Sequence, residues 1–385
     1  MRIPEMPGLA PSQFFDSFRT KPLPYPLNAP HRTFAYMARN VIYHLFRALK
    51  LGPDDIVLVP ELHSGVEIWA IRAAGATVRF YPVNRRFEPD LDALRRLCAS
   101  GNARVLYVIH FCGWSQPMKE LATLARQYGL VLIEDCALAL LSEQDGKPLG
   151  TTGQYAVYCL YKFLPIPHGG LLVQNADVFE ELTTRPFRSC TTASIIARST
   201  ELIQNWVLRR CDHVGRALGA FKYGIGRALN AMGHRRLPAG DFSSDFSSSG
   251  FDVANMDIGM SRFCHRLLPR FDYAEIRRRR RKNFLDLRER LAGKVSILRE
   301  LEPGVTPLFF PLFARDKVET LRLLRQRGVG AIPFWNCGHP EVRTVESRES
   351  RFVREHTIEI PIHQDLGPKQ IRYIAEQIAR LRTLM

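Results

Sequence analysis

Val131-Leu132-Ile133-Glu134-Asp135 is an apolar run that ends on a carboxylate. Twenty-seven residues after Asp135, the run Tyr158-Cys159-Leu160-Tyr161-Lys162 ends on an amine, and His168-Gly169-Gly170 then opens a third run, Leu171-Leu172-Val173. Short apolar runs bounded by polar residues and glycines read as buried strands. Asp135 and Lys162 then lie at the carboxyl ends of neighbouring strands, where open α/β sheets bind ligands. An acid able to hold a ring nitrogen and an amine able to bond an aldehyde are what a pyridoxal phosphate (PLP) site requires.

Working upstream, Leu121, Leu124, Ala125 and Tyr128 form one helical face between Pro117 and Gly129. Before it come a strand over Val105 to His110, a helix over Leu91 to Leu97 and a strand over Val78 to Val83. A helix over Val66 to Ala74 and a strand at Ile56 to Val59, stopped by Pro60, precede these. The spacing of Phe34, Met37, Val41, Ile42, Leu45 and Leu49 predicts a first helix from about Phe34 to Leu51, ended by Gly52-Pro53. Strands alternating with helices in this way predict a mostly parallel sheet covered on both faces.

Downstream the alternation stops after Asn175. Residues 186–240 carry nine Lys or Arg against two acids, with interleaved apolar residues. They read as one or two basic amphipathic helices within an insertion at about 186–245. The first reading is a hairpin packed on its own domain or on a dimer partner. The second is a peripheral contact with a membrane surface. Residues 241–250 form a Ser-rich loop that marks a boundary. Beyond it, a helix carries Arg277 to Lys282, a run expected to be a solvated face. Strand signals follow at Thr306 to Phe313, a helix at Val318 to Arg327, and a closing helix on Ile371, Ile374 and Ile378. The expected organisation is an N-terminal arm (1–30), a large α/β domain (31–250) and a smaller C-terminal α/β domain (251–385).

With 385 residues the chain can bury a large core. It has no apolar run long enough for a membrane-spanning helix and no leader-like N-terminus, so a cytoplasmic setting is expected. The eight cysteines form no Cys-x-x-Cys pair, which argues against a zinc site or a disulfide framework. The net charge of +16 suits anionic partners. No nucleic-acid module accompanies it, so no nucleic-acid partner is expected.

Several segments, in order, resemble the DegT/DnrJ/EryC1/StrS family of sugar aminotransferases, which have the aspartate-aminotransferase-like fold (PLP fold type I). Gly52 to Pro60 is similar to that family's GPGDEVIVP, and His110-Phe111-Cys112-Gly113 to its H-x-x-G. Ile133 to Ala137 resembles IEDAA, Gly146 to Gly150 GKxxG, and Ile360 to Gln364 LPxH. Lys162 with His168-Gly169-Gly170 has the spacing of KNLxxGEGG.

The resemblance implies that Lys162 bonds the cofactor aldehyde and shuttles the substrate proton, and that Asp135 pairs with the ring nitrogen. It places Ala38-Arg39-Asn40 at the turn that cradles the phosphate, and His63 and Ser64 where a group stacks on the ring. A lysine at position 162 separates the chain from the family's dehydratase branch, which has histidine there. Leu138, Val157 and His168 depart from the family pattern, and the asparagine that reaches across the dimer has no clear match near Asn255 and Met256.

The implied protein is a homodimeric PLP-dependent aminotransferase. It would move an amino group from glutamate or glutamine to a nucleotide-linked keto-sugar, for polysaccharide or secondary-metabolite synthesis. The alternatives are a fold relative with a non-sugar substrate, or a catalytically lapsed binding or membrane-associated homologue.

Overall fold

The computed structural model describes residues 1–15, 21–211, 213–215, 217, 251–336, 338–382 and 384. A seven-stranded sheet forms its larger unit. The strands are β1 (Arg32–Ala35), β2 (Ile56–Pro60), β3 (Thr77–Tyr81), β4 (Ala103–Ile109), β5 (Val131–Asp135), β6 (Tyr155–Cys159) and β7 (Gly170–Gln174). Their spatial order is β1-β7-β6-β5-β4-β2-β3. From β3 to β6 every pairing is parallel, whereas β7 runs antiparallel to both β6 and β1. The carboxyl ends of β5 and β6 therefore meet the start of β7 and the end of β1 at one edge.

Helices α1 (Ala38–Ala48), α2 (Val66–Ala73), α3 (Leu91–Ala99) and α4 (Met118–Gln127) alternate with the strands. Each buries an apolar stripe, as with Val41, Ile42, Leu45 and Phe46 of α1. Contrary to the sequence periodicity, α1 does not begin at Phe34. Phe34 belongs to β1 and pairs with Leu171 of β7, so the sheet takes its backbone bonds. The helix starts after Met37, whose N–H is accepted by Asn40 Oδ1 at 3.2 Å.

Gly170 makes this start possible. A Cβ there would lie 2.1 Å from the Met37 carbonyl carbon and 2.4 Å from the Ala38 nitrogen, so only a glycine lets the first turn of α1 lie against β7.

The basic segment opens with α5 (Thr192–Arg210), which packs on its own chain: Leu202 is buried and its carbonyl accepts the Leu9 N–H at 3.0 Å. Most of the segment beyond it, with the Ser-rich loop 241–250, lies outside the described residues. After it come α6 (Tyr273–Arg290), β8 (Phe309–Phe313), α7 (Lys317–Gln326), β9 (Ile332–Pro333), α8 (Arg348–His356), β10 (Thr357–Pro361) and α9 (Pro368–Ala379). Their strands form an antiparallel sheet in the order β8-β10-β9.

The arginine run on α6 is not uniformly solvated as its composition suggests. Arg278 and Arg279 pair with Glu275 at the surface, but Arg280 is only 1% exposed. The α6 helix turns that position inward.

The N-terminal arm is stitched across both units. Ile3 exchanges backbone bonds with Gly328 and Gly330 at 2.8 Å each, and the Gly8 N–H donates to Asp365 at 2.8 Å. Cys98, Cys112, Cys136, Cys159, Cys190, Cys211 and Cys264 are free thiols. Among the described residues no helix is long and apolar enough to cross a membrane.

Candidate active site

A cavity of about 240 Å³ lies at the carboxyl edge of the large sheet, closed by the smaller sheet and by Glu5, Met6 and Pro7 of the arm. Asp135 and Lys162 both line it. Asp135 ends β5 and is buried. Its Oδ2 accepts the Tyr107 hydroxyl at 2.6 Å and its Oδ1 the Ala137 N–H at 2.8 Å. Burial raises the Asp135 carboxyl, while Tyr107, Ala137 and the nearby Lys162 hold it down. Two bonds leave capacity on an ionised carboxylate for a third donor.

Lys162 ends the single 3₁₀ turn that follows β6. Its amine has no hydrogen bond or ion pair among the described residues. Its backbone neighbourhood, by contrast, is fixed from the smaller unit: the Phe163 carbonyl accepts Gln364 Nε2 at 2.8 Å. Arg280 donates to Gln364 Oε1 at 2.8 Å and to the Leu308 carbonyl at 2.7 Å, with its guanidinium 4.7 Å from the Phe163 ring. Burial lowers Arg280 to about 9.

Ala38 and Arg39 line the cavity at the start of α1, but the Asn40 side chain turns away. Its Nδ2 donates to the Asn255 and Met256 carbonyls at 2.8 and 3.0 Å, tying the turn from behind. His63 is also outside the cavity, contrary to its expected place on a cofactor face. Its Nδ1 bonds the Pro60 carbonyl at 3.0 Å, its Nε2 accepts the His339 N–H at 2.9 Å, and its ring stacks on Phe80. With both nitrogens committed and full burial pushing its pKa down to about 3, it is a neutral structural residue.

Ser64 does line the cavity, and its hydroxyl donates to Glu67. Burial, reinforced by Asp135, raises the Glu67 carboxyl. Leu138 lines the cavity as well. His168 instead packs against Tyr36, with Cys190 and Cys264 at 3.5 and 3.6 Å from its Nε2.

Beside the site, His110, Glu134 and Cys136 form a buried group of metal-ligating types. Its carboxylate is filled by His110 at 2.9 Å and by the N–H groups of Gly150, Thr152 and Gly153. Burial works to raise Glu134, but these donors hold it low. The group braces the loop after β5.

Several lining residues escaped the sequence reading: Glu5, Arg198, Arg280 and Glu359. Only Glu359 left a signal, as an acid within the apolar run Ile358 to Ile362.

These residues fit a cofactor with an aldehyde, a ring nitrogen and a phosphate. The unpartnered amine, the buried carboxylate and the glycine-permitted helix start with Arg39 are the groups that would hold these three in turn.

Residues 41–200 match the DegT/DnrJ/EryC1/StrS aminotransferase family. The chain is 30% identical over 145 residues to the UDP-N-acetyl-3-dehydro-α-D-glucosamine 3-aminotransferase of Acidithiobacillus ferrooxidans, covering 37% of this chain and 39% of that one. It is 33% identical over 128 residues to the dTDP-4-dehydro-2,3,6-trideoxy-D-glucose 4-aminotransferase of Saccharopolyspora spinosa, 32% and 33% of the two chains. The chain thus matches well under half the length of these curated relatives.

Likeness of structure runs further. Helicobacter pylori PseC, an aminotransferase involved in pseudoaminic acid biosynthesis, superposes with a TM-score of 0.67 at 14% identity over 98% of both chains. The Streptococcus pneumoniae protein Spr1654 in its PLP form does so at 0.65 and 15% identity, again over 98% of both. The fold is that of the type I PLP enzymes.

Proposed function

We propose, from the match of residues 41–200 to the DegT/DnrJ/EryC1/StrS aminotransferase family, that this chain is a PLP-dependent aminotransferase. Its acceptor is a nucleotide-linked keto-sugar and its donor glutamate or glutamine. The observation that carries the reading is Lys162: an amine without a partner, facing a cavity beside a buried carboxylate.

Bound there, PLP supplies an electron-withdrawing ring that stabilises negative charge on the substrate carbon. The chain does the rest. Asp135, fixed by Tyr107 and Ala137, holds the ring-nitrogen proton. The Lys162 amine, poised by the bonds on Phe163, carries the proton to and from the substrate carbon. The first turn of α1 and Arg39 bind the phosphate. The arm and the smaller sheet exclude water. The excess of positive charge suits a diphosphate-bearing substrate, and a homodimer in the cytoplasm is the proposed setting.

The test is spectroscopic and then catalytic. Purified protein with PLP should absorb in the visible and change spectrum on adding glutamate. Turnover is then assayed with UDP-N-acetyl-3-dehydro-α-D-glucosamine, a dTDP-linked 4-keto-sugar, pyruvate and an acyl acceptor. Turnover confined to a non-sugar acceptor would replace the substrate class, and no turnover at all would leave a binding protein.

A further inference from the structure

Glu359 is the residue of this site that stability does not explain. It lies on β10, the central strand of the smaller sheet, between Pro311 of β8 and Ile332 of β9. Its neighbours Ile358 and Ile360 are fully buried, while Glu359 faces the cavity that also holds Lys162. Its carboxyl has no hydrogen bond or ion pair among the described residues. Two other acids of this site are engaged, Asp135 by two donors and Glu67 by Ser64. A largely enclosed carboxyl without partners costs folding stability, and an aliphatic side chain would suit this strand better. Positions that break a local rule without a structural gain are where function is expected.

The electrostatics narrow the ligand. Burial lifts the Glu359 carboxyl to about 8, with Lys162 and Lys317 opposing the rise and Glu5 adding to it. Near neutral pH it is largely protonated, so it offers a donor and an acceptor on one group. That matches a hydroxyl or an amide, which also carries or neighbours both. It offers no positive charge to a carboxylate.

We propose that Glu359 is a specificity-determining residue for the acceptor, hydrogen-bonding a hydroxyl or amide substituent of a sugar ring. This rests on the aminotransferase reading above.

The test compares Glu359→Leu and Glu359→Gln with the wild-type enzyme loaded with PLP. Each is given the keto-sugar that the wild type uses best of the two named above, and pyruvate. Melting temperatures are measured without cofactor. Glu359→Leu should melt no lower than the wild type, because an unpaired carboxyl is gone. Its kcat/KM for the keto-sugar should fall about tenfold or more, the worth of one hydrogen bond, while that for pyruvate stays within about threefold. Glu359→Gln, which keeps a donor and an acceptor, should retain keto-sugar use within about threefold.

Unchanged keto-sugar use in Glu359→Leu would overturn the assignment. So would an equal loss on both acceptors accompanied by a lower melting temperature, the mark of a structural role. A wild type that turns over neither keto-sugar would instead overturn the aminotransferase reading, and this inference with it.

Discussion

Burial pushes the Asp135 carboxyl upward, against the charged form that a ring nitrogen needs, and the hydroxyl of Tyr107 and the N–H of Ala137 oppose that push. Asp135→Ala should weaken PLP binding by roughly 1.5–3 kcal/mol, the worth of a charge-assisted bond. Turnover should fall further still, because the ring proton matters most in the transition state. Titration of PLP by absorbance and steady-state rates check both.

Glu359 gives a pH test of opposite sign to an ordinary ion-paired acid. Its folded-state pKa is raised from 4.5 to about 8, so between these values the folded chain binds more protons than the unfolded one. Stability from this group therefore falls as pH rises from about 5 to 8. The melting temperature of Glu359→Gln relative to the wild type should rise across that window, and a flat difference would contradict the assignment. Asp135 and Lys162 were legible in the sequence because each ends an apolar run. The orientations of His63 and Asn40 were not, because they are set by His339, Asn255 and Met256, far away in the chain.

Elements explain why the site holds its shape. The start of α1 rests on β7, and Gly170 is the contact. Gly170→Ala should displace the first turn of α1, at a cost of about 1–3 kcal/mol from overpacking, and raise the Kd for PLP. Chemical denaturation and cofactor titration report the two effects. The strand–helix alternation from β2 to β6 was legible from hydrophobic period and punctuation. The start of α1 was not, since Phe34 fits a helical stripe and becomes a strand only through its partner Leu171. Nor did the run of arginines on α6 show which one turns inward; only the packing of Phe163, Leu308 and Gln364 around Arg280 selects it.

At the scale of the molecule, the cavity exists because two sheets and an N-terminal arm meet. The proline-rich arm carried no periodicity, yet it places Glu5 to Pro7 over the site through bonds to Gly328, Gly330 and Asp365. Removing residues 1–9 should lower the melting temperature and open the site, so that hydroxylamine strips PLP from the truncated protein faster than from the full chain.

The central claim is that Lys162 is the amine that bonds the cofactor. Lys147 offers a nearby competitor in the sequence, but it lies exposed in a two-residue strand of a separate hairpin. Borohydride reduction of the PLP-loaded protein, followed by peptide mass analysis, tests the claim most directly. The pyridoxyl group is expected on Lys162 alone, and should be lost in Lys162→Ala even if that variant still binds PLP. An adduct on Lys147 or another amine, or none with PLP in excess, would contradict both the site and the aminotransferase reading.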